Sequence, residues 1–177
     1  TSQYAKTVIE SSKNTGVSYT LKHFPGYGNN ADTHTSSTTD NRTYSAIMED
    51  DIPPFKAGIK AGAEAVLVSH NTVPALDKDN PASLSATVHN VLRNELSFTG
   101  IIITDDLDMG AITDGNAVIK AILAGNDLII VTDYESAISK VKDALENGDI
   151  GESLIDKMAF RVLAWKYDKG LMYDVLK

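Results

Sequence analysis

Apolar and polar positions fall along this chain in alternating blocks, with stretches of helical period separated by short continuous apolar runs. Gln3–Lys13 has helical patterning, with Tyr4, Val8 and Ile9 on one side, and a short strand is predicted at Val17–Leu21. Helical sequence returns over Tyr44–Lys60. The Pro53-Pro54 pair interrupts it, and Pro54 suits the first turn of a helix that restarts there. Ala65–Ser69 reads as a second strand, and the loop His70–Pro81 leads into a helix at Ser85–Leu96, for which Ser83 or Ser85 is the candidate cap. Ile101–Thr104 is a third strand, Ala117–Ala124 a helix, Asp127–Val131 a fourth strand and Glu135–Glu146 a helix. A closing helix spans Glu152–Lys169, with Leu154, Ile155, Met158, Val162 and Trp165 spaced along one face.

Strands separated by helices imply right-handed βαβ units and a parallel sheet. About four such units make half of a TIM-type (β/α)8 barrel, an architecture that takes typically about 250 residues. An open doubly wound sheet is the alternative for a chain of 177 residues. In either α/β architecture the chemistry sits at the C-terminal ends of the strands.

Those ends carry distinctive residues. The apolar run before Thr104 ends in two adjacent carboxylates, Asp105 and Asp106, placed where a barrel keeps its reactive groups; capping the next helix is the alternative role for Asp105. The first strand leads into Lys22-His23-Phe24-Pro25-Gly26-Tyr27-Gly28, where a cation and an imidazole can donate to substrate hydroxyls and the glycines permit a sharp turn. A polar stretch over Asn29–Thr43, long for a structureless connection, contains Asp32-Thr33-His34. An Asp beside a His can fix the imidazole tautomer and raise its basicity, which prepares a general acid/base. Ser69-His70-Asn71 closes the second strand and can line the pocket floor or rim, a structural role at the strand end being the equal alternative for His70, while His89 within its helix reads as a surface or interface residue. A zinc site using His23, His34, His70 and an Asp lacks any compact ligand spacing.

Composition narrows the classes. The formal net charge of −8, with no basic stripe, argues against a nucleic-acid binder. The absence of cysteine removes disulfides, thiolate metal sites and a cysteine nucleophile. No apolar run approaches the roughly 20 residues of a membrane span, and the N-terminus has no signal-peptide pattern. Because the sequence starts at Thr1 and runs directly into helical pattern, it is expected to be a piece of something longer.

Taken together, Lys22-His23-Phe24-Pro25-Gly26-x-Gly28, Asp32-Thr33-His34 and Thr104-Asp105-Asp106-Leu107-x-Met109 resemble the β-N-acetylglucosaminidases of glycoside hydrolase family 3. Similarity extends through Pro54–Gly62, Ala124–Asp127 and the closing helix around Arg161-Val162-Leu163. The resemblance implies the C-terminal half of a (β/α)8 barrel over residues 1–177, and retaining exo-hydrolysis of terminal β-linked N-acetylglucosamine in peptidoglycan-type fragments. Carried over by position, Asp105 would be the nucleophile and His34 the general acid/base, with Asp32 orienting His34. Lys22 and His23 would bind sugar hydroxyls, and Asp106 would be structural. No cofactor or metal is implied.

Two departures from the family pattern matter. Tyr27 stands where the family often has His. The first half of the family barrel, which supplies an Asp and an Arg to the sugar, has no counterpart in these residues. The expected partners are therefore a carbohydrate substrate and, across the open flank, either the missing N-terminal half or a second copy. A non-catalytic half-barrel that assembles with a partner or binds sugar weakly is the alternative. Relatives occur in the cytoplasm and exported, so the compartment stays open, with a lean to export.

Overall fold

The computed structural model describes residues 1–31 and 33–172. It is an α/β fold built on a three-stranded parallel sheet, β1 (Thr20–Phe24), β2 (Ala65–Val68) and β5 (Ile101–Thr104), in the order β1-β2-β5. Helices separate the strands: α1 (Ser2–Ser12) precedes β1, α2 (Tyr44–Asp50) and α3 (Ile52–Lys60) lie between β1 and β2, and α4 (Ala86–Asn90) precedes β5. After the sheet come α5 (Ala117–Ala124), α6 (Tyr134–Glu146) and α7 (Glu152–Asp168). This is the parallel α/β arrangement that the spacing of apolar runs predicts. No described helix is long and apolar enough to cross a membrane.

The local causes are legible. Thr43 caps α2 by accepting the Ala46 N–H, and Pro53 and Pro54 fall in the first turn of α3, where no intrahelical donor is needed. Of the two candidate caps for α4, Ser85 takes the role, its hydroxyl accepting from Val88 N at 3.2 Å. Ser83 is used elsewhere, in the site. Central β2 has apolar residues on both faces, and Val66, Val68 and Ile102 pack with Phe24, Phe55 and Leu92 in one buried cluster. Leu107, Val118, Ile122 and Met158 belong to a second cluster beneath α5, α6 and α7.

Four expectations are corrected. The predicted fourth strand, Asp127–Val131, forms only an isolated bridge, Ile103 to Leu128. Leu128 N does donate to Ile102 O (3.1 Å) and Thr104 N to Leu128 O (3.1 Å), but Ile130 N turns to the Thr104 hydroxyl (3.0 Å) and the ladder stops. The segment His70–Pro81, expected as a loop, holds a small antiparallel hairpin of β3 (Thr72–Val73) and β4 (Asp77–Pro81). His89 is not at the surface: it is 2% exposed, with Nδ1 bonded to Ser85 O at 2.8 Å. The turn after α5 covers it, and a Cβ on Gly125 would stand 3.8 Å from the His89 ring.

The first strand also lies further along the chain than the apolar pattern suggests, at Thr20–Phe24 rather than Val17–Leu21, so Lys22 and His23 are inside it. Thr20 pairs with Ala65 and Leu21 with Val66, but Phe24 pairs with Val68, leaving Lys22 and His23 as an irregularity opposite Leu67. Bulges of this kind commonly re-aim side chains beside active sites.

Candidate active site

The C-terminal ends of the three strands converge on one another. Asp105, the residue after β5, is fastened by its own N–H to Val68 O at 2.9 Å. Its carboxylate accepts the Asp106 N–H at Oδ1 (3.1 Å), and Oδ2 stands 3.8 Å from His23 Nε2 at the end of β1. The Asp105 side chain keeps 17% of its surface exposed, enough for a ligand to reach it. A carboxylate and an imidazole from two strands thus meet at the mouth of the sheet. The Asp106 side chain turns back to its own loop, accepting from Asp108 N at 3.0 Å.

The stretch after β1 is built for close approach. Gly26 has φ +127°, and a Cβ there would come within 2.6 Å of the Asp51 carboxyl, so the turn needs glycine on both counts. Tyr27 stacks edge-on against His23, ring centroids 5.5 Å apart at 84°, and its hydroxyl shares a hydrogen bond with the buried hydroxyl of Thr33. The residue that departs from the family pattern therefore joins the His23 ring to the position just before His34.

His34 lies in the polar stretch, exposed, and its carbonyl accepts from Gly110 N at 3.0 Å. A Cβ on Gly110 would press to 2.7 Å from Thr35 O, so this glycine is what lets the His34 segment dock on the chain just beyond Asp105. The far end of the stretch is held by backbone bonds from Asp40 N to Thr72 O (2.8 Å) and from Thr72 N to Thr38 O (2.9 Å). Asp40, nearly fully buried, accepts from Arg42 Nη2 at 2.7 Å, and that bond holds its carboxyl below the usual range. Arg42 also pairs with Asp51, beneath the Gly26 turn. Asp32 lies outside the described residues.

Lys22 is exposed and, with His23, Tyr4, Val8, Tyr19 and Leu21, lines a groove of about 630 Å³ along the outer edge of β1. Among the described residues the sheet has no strand on that side. Of the residues predicted from sequence, the structure thus gathers Asp105 and His23 directly, brings the His34 segment against the chain after Asp105, and sets Lys22 at the rim.

Sequence reasoning left His70 undecided and missed Arg42. His70 is 1% exposed, with Nδ1 against Ser83 Oγ at 2.7 Å and Nε2 against Asp106 O at 2.8 Å. Burial lowers its pKa and keeps the ring neutral. With both nitrogens so engaged, His70 is no metal ligand. Among the described residues no group of three or more His, Asp or Glu gathers as a metal site. On either side of His70, Ser69 Oγ donates to Phe24 O (3.0 Å) and Asn71 Nδ2 to Gly26 O (3.0 Å). The signal that could have found them is polarity at a buried strand end, which requires partners.

Comparison with known proteins gives the family and the fold. Residues 1–165 match the family described as glycosyl hydrolase family 3 N terminal domain. A β-hexosaminidase of Xylella fastidiosa is 33% identical over 181 aligned positions, covering 97% of this chain and 52% of the relative. Among solved structures, a glycoside hydrolase family 3 β-N-acetylglucosaminidase from Paenibacillus sp. str. FPU-7 superimposes with a TM-score of 0.88 at 32% identity, over 94% of this chain and 34% of its own. A β-N-acetylhexosaminidase from Beutenbergia cavernae gives 0.81 at 28% identity, over 96% and 52%. The chain spans about half the length of the curated relatives it matches.

Proposed function

This chain belongs to glycosyl hydrolase family 3, and from that premise we propose that it is the C-terminal half of the barrel of a retaining exo-β-N-acetylglucosaminidase. The observation that carries the reading is the meeting of Asp105 and His23 at 3.8 Å, with the His34 segment docked on Gly110. The substrate is a terminal β-linked N-acetylglucosamine of the kind found in peptidoglycan-type fragments.

In the first step an Asp105 carboxylate oxygen attacks the anomeric carbon and forms a glycosyl ester, while His34 gives its proton to the departing oxygen. In the second, His34 takes a proton from water as the water oxygen attacks the same carbon and releases Asp105. Two inversions leave the anomeric configuration retained. A histidine suits this proton traffic because its unperturbed pKa lies near 6.5. Asp32 orients His34, and Lys22 and His23 hold sugar hydroxyls. Asp106 serves the loop. The double displacement needs no cofactor, since nucleophile, acid and water supply every atom exchanged.

The unpaired outer edge of β1 and the groove along it are where the rest of a barrel would seat. The occupant is the N-terminal half of the barrel, or a second copy in its absence. The same open edge favours one other reading, a non-catalytic half-barrel that assembles with a partner or binds sugar weakly. Hydrolysis of an aryl β-N-acetylglucosaminide separates them, measured at several protein concentrations and again with an N-terminal half-barrel added. Release of the aryl group with retained configuration supports the enzyme reading. A chain that binds its other half yet stays silent on the substrate refutes it.

A further inference from the structure

We infer that His70 is a positioning residue that sets the reactive orientation of Asp105, acting through Asp106, whose carbonyl it holds and whose N–H bonds the Asp105 carboxylate; the inference rests on the proposed nucleophilic role of Asp105. Four contacts run in series. The Asp106 carbonyl can only accept, so His70 Nε2 carries the hydrogen and donates to it at 2.8 Å. In a neutral ring Nδ1 is then the acceptor, and the Ser83 hydroxyl donates to it at 2.7 Å. Asp106 N–H donates to Asp105 Oδ1 at 3.1 Å. That bond turns Oδ2 toward His23 Nε2, 3.8 Å away.

The direction of the side chains shows why this position does the work. Ser69, His70 and Asn71 are successive residues at the end of central β2, all essentially without exposed surface. Ser69 and Asn71 reach to one side, to the carbonyls of Phe24 and Gly26 just past His23. His70 reaches to the other, to the carbonyl of Asp106, the residue after the nucleophile. One tripeptide therefore spans both flanking strand ends and fixes the spacing between them. Ser83 itself is tied back by its N–H to Ser69 O at 2.9 Å, so the support is closed on itself. The two matched nitrogens fix the tautomer and the place of the ring together, so the donor at Nε2 is held on the Asp106 carbonyl.

The test reads the nucleophile peptide without depending on turnover. Amide hydrogen exchange is measured by NMR on the wild-type chain, on His70→Leu and on His70→Gln, whose side-chain amide can place a donor where Nε2 stands. The expected result is that His70→Leu speeds exchange at Asp106 by about tenfold, because without the bond to its carbonyl Asp106 holds its N–H less firmly on Asp105 Oδ1. Exchange at Asp105, whose N–H is held by Val68 O, stays near the wild-type rate, and His70→Gln restores Asp106. Unchanged Asp106 exchange in a folded His70→Leu chain overturns the inference, and so does equal acceleration along the whole of β5. A kinetic arm uses the protein with both barrel halves present: kcat falls in His70→Leu with KM little changed, and largely recovers in His70→Gln. Silence of the wild-type protein in that arm counts against the proposed function, while the exchange arm still decides the role of His70.

Discussion

At the N-terminal ends of β2 and β5, carboxylates are saturated with donors. Asp127 accepts from Arg93 Nη2 (2.6 Å), from Arg161 Nη1 (2.9 Å) and from Ile102 N (2.9 Å) with its side chain wholly buried. Glu64 accepts from Ser18 (2.6 Å), from the Trp165 indole (2.8 Å) and from Lys169. At the opposite ends of the same strands, Asp105 has its neighbour's N–H and an imidazole 3.8 Å away, with surface left open. The difference teaches which charges hold the scaffold and which are kept available. A buried charge without matched partners is costly, so saturation marks structure; a half-satisfied carboxylate at a strand's C-terminal end is what the proposed nucleophile role of Asp105 requires.

The sharpest way to break this contrast is to neutralise both kinds of carboxylate. Asp105→Asn should lower kcat of the completed barrel by about a thousandfold or more while leaving the unfolding midpoint nearly unchanged. Wild-type turnover in that variant would remove Asp105 from the nucleophile role. Asp127→Ala should do the reverse in kind, destabilising the fold by about 3–5 kcal/mol, because Arg93 and Arg161 lose the partner that compensates them. Urea unfolding measures it, and a loss below about 1 kcal/mol would mean the network is dispensable.

His34→Ala sharpens the comparison at the functional end. Turnover of substrates with poor leaving groups should fall by at least about a hundredfold, and activated aryl substrates, which need no proton, should suffer far less. Equal losses on both would show that His34 is not the acid.

The smallest effect is on pH dependence. Burial lowers the pKa of both His70 and His89, so each folded ring binds fewer protons than the unfolded chain does just below the ordinary value near 6.5. Stability should therefore fall as the pH drops below about 6.5 and level off once it passes the folded pKa values. The carboxyls of Asp40 and Glu64 lie below their usual range. Arg42 causes the first; for Glu64, bonds from Lys169, Ser18 and Trp165 outweigh the opposing effect of burial. They add a second loss in more acidic solution. Urea midpoints that stay flat from pH 7.5 to 5.5 would contradict the histidine part.

The order of elements was readable because it depends on local period and on punctuation by Pro and Gly: α5 falls where Ala117–Ala124 predicts it, and β5 where Ile101–Thr104 does. What escaped the pattern depended on contacts made across the chain. The fourth strand stopped short because the Thr104 hydroxyl took the Ile130 N–H that a ladder would have used. His89 was buried by a turn some 35 residues later, which no local period reports. In the site, the motif residues Lys22, His23, His34 and Asp105 stood out by type and position. Of their supports, His70 stood out only as a strand-end residue, and its partner Ser83 and the group of Arg42, Asp40 and Asp51 did not, because a buried polar residue looks like a surface one until its partners are seen. Asp32, part of the same motif, lies outside the described residues.

The most direct test of the account is to trap the covalent intermediate. The protein with both barrel halves present is treated with a fluorinated N-acetylglucosaminyl fluoride, whose good leaving group forms the glycosyl-enzyme and whose ring fluorine slows its breakdown. Peptide mass spectrometry then finds the labelled residue. The account predicts one sugar, ester-linked to Asp105. A label on any other residue, or turnover with inverted configuration and no adduct, would contradict it.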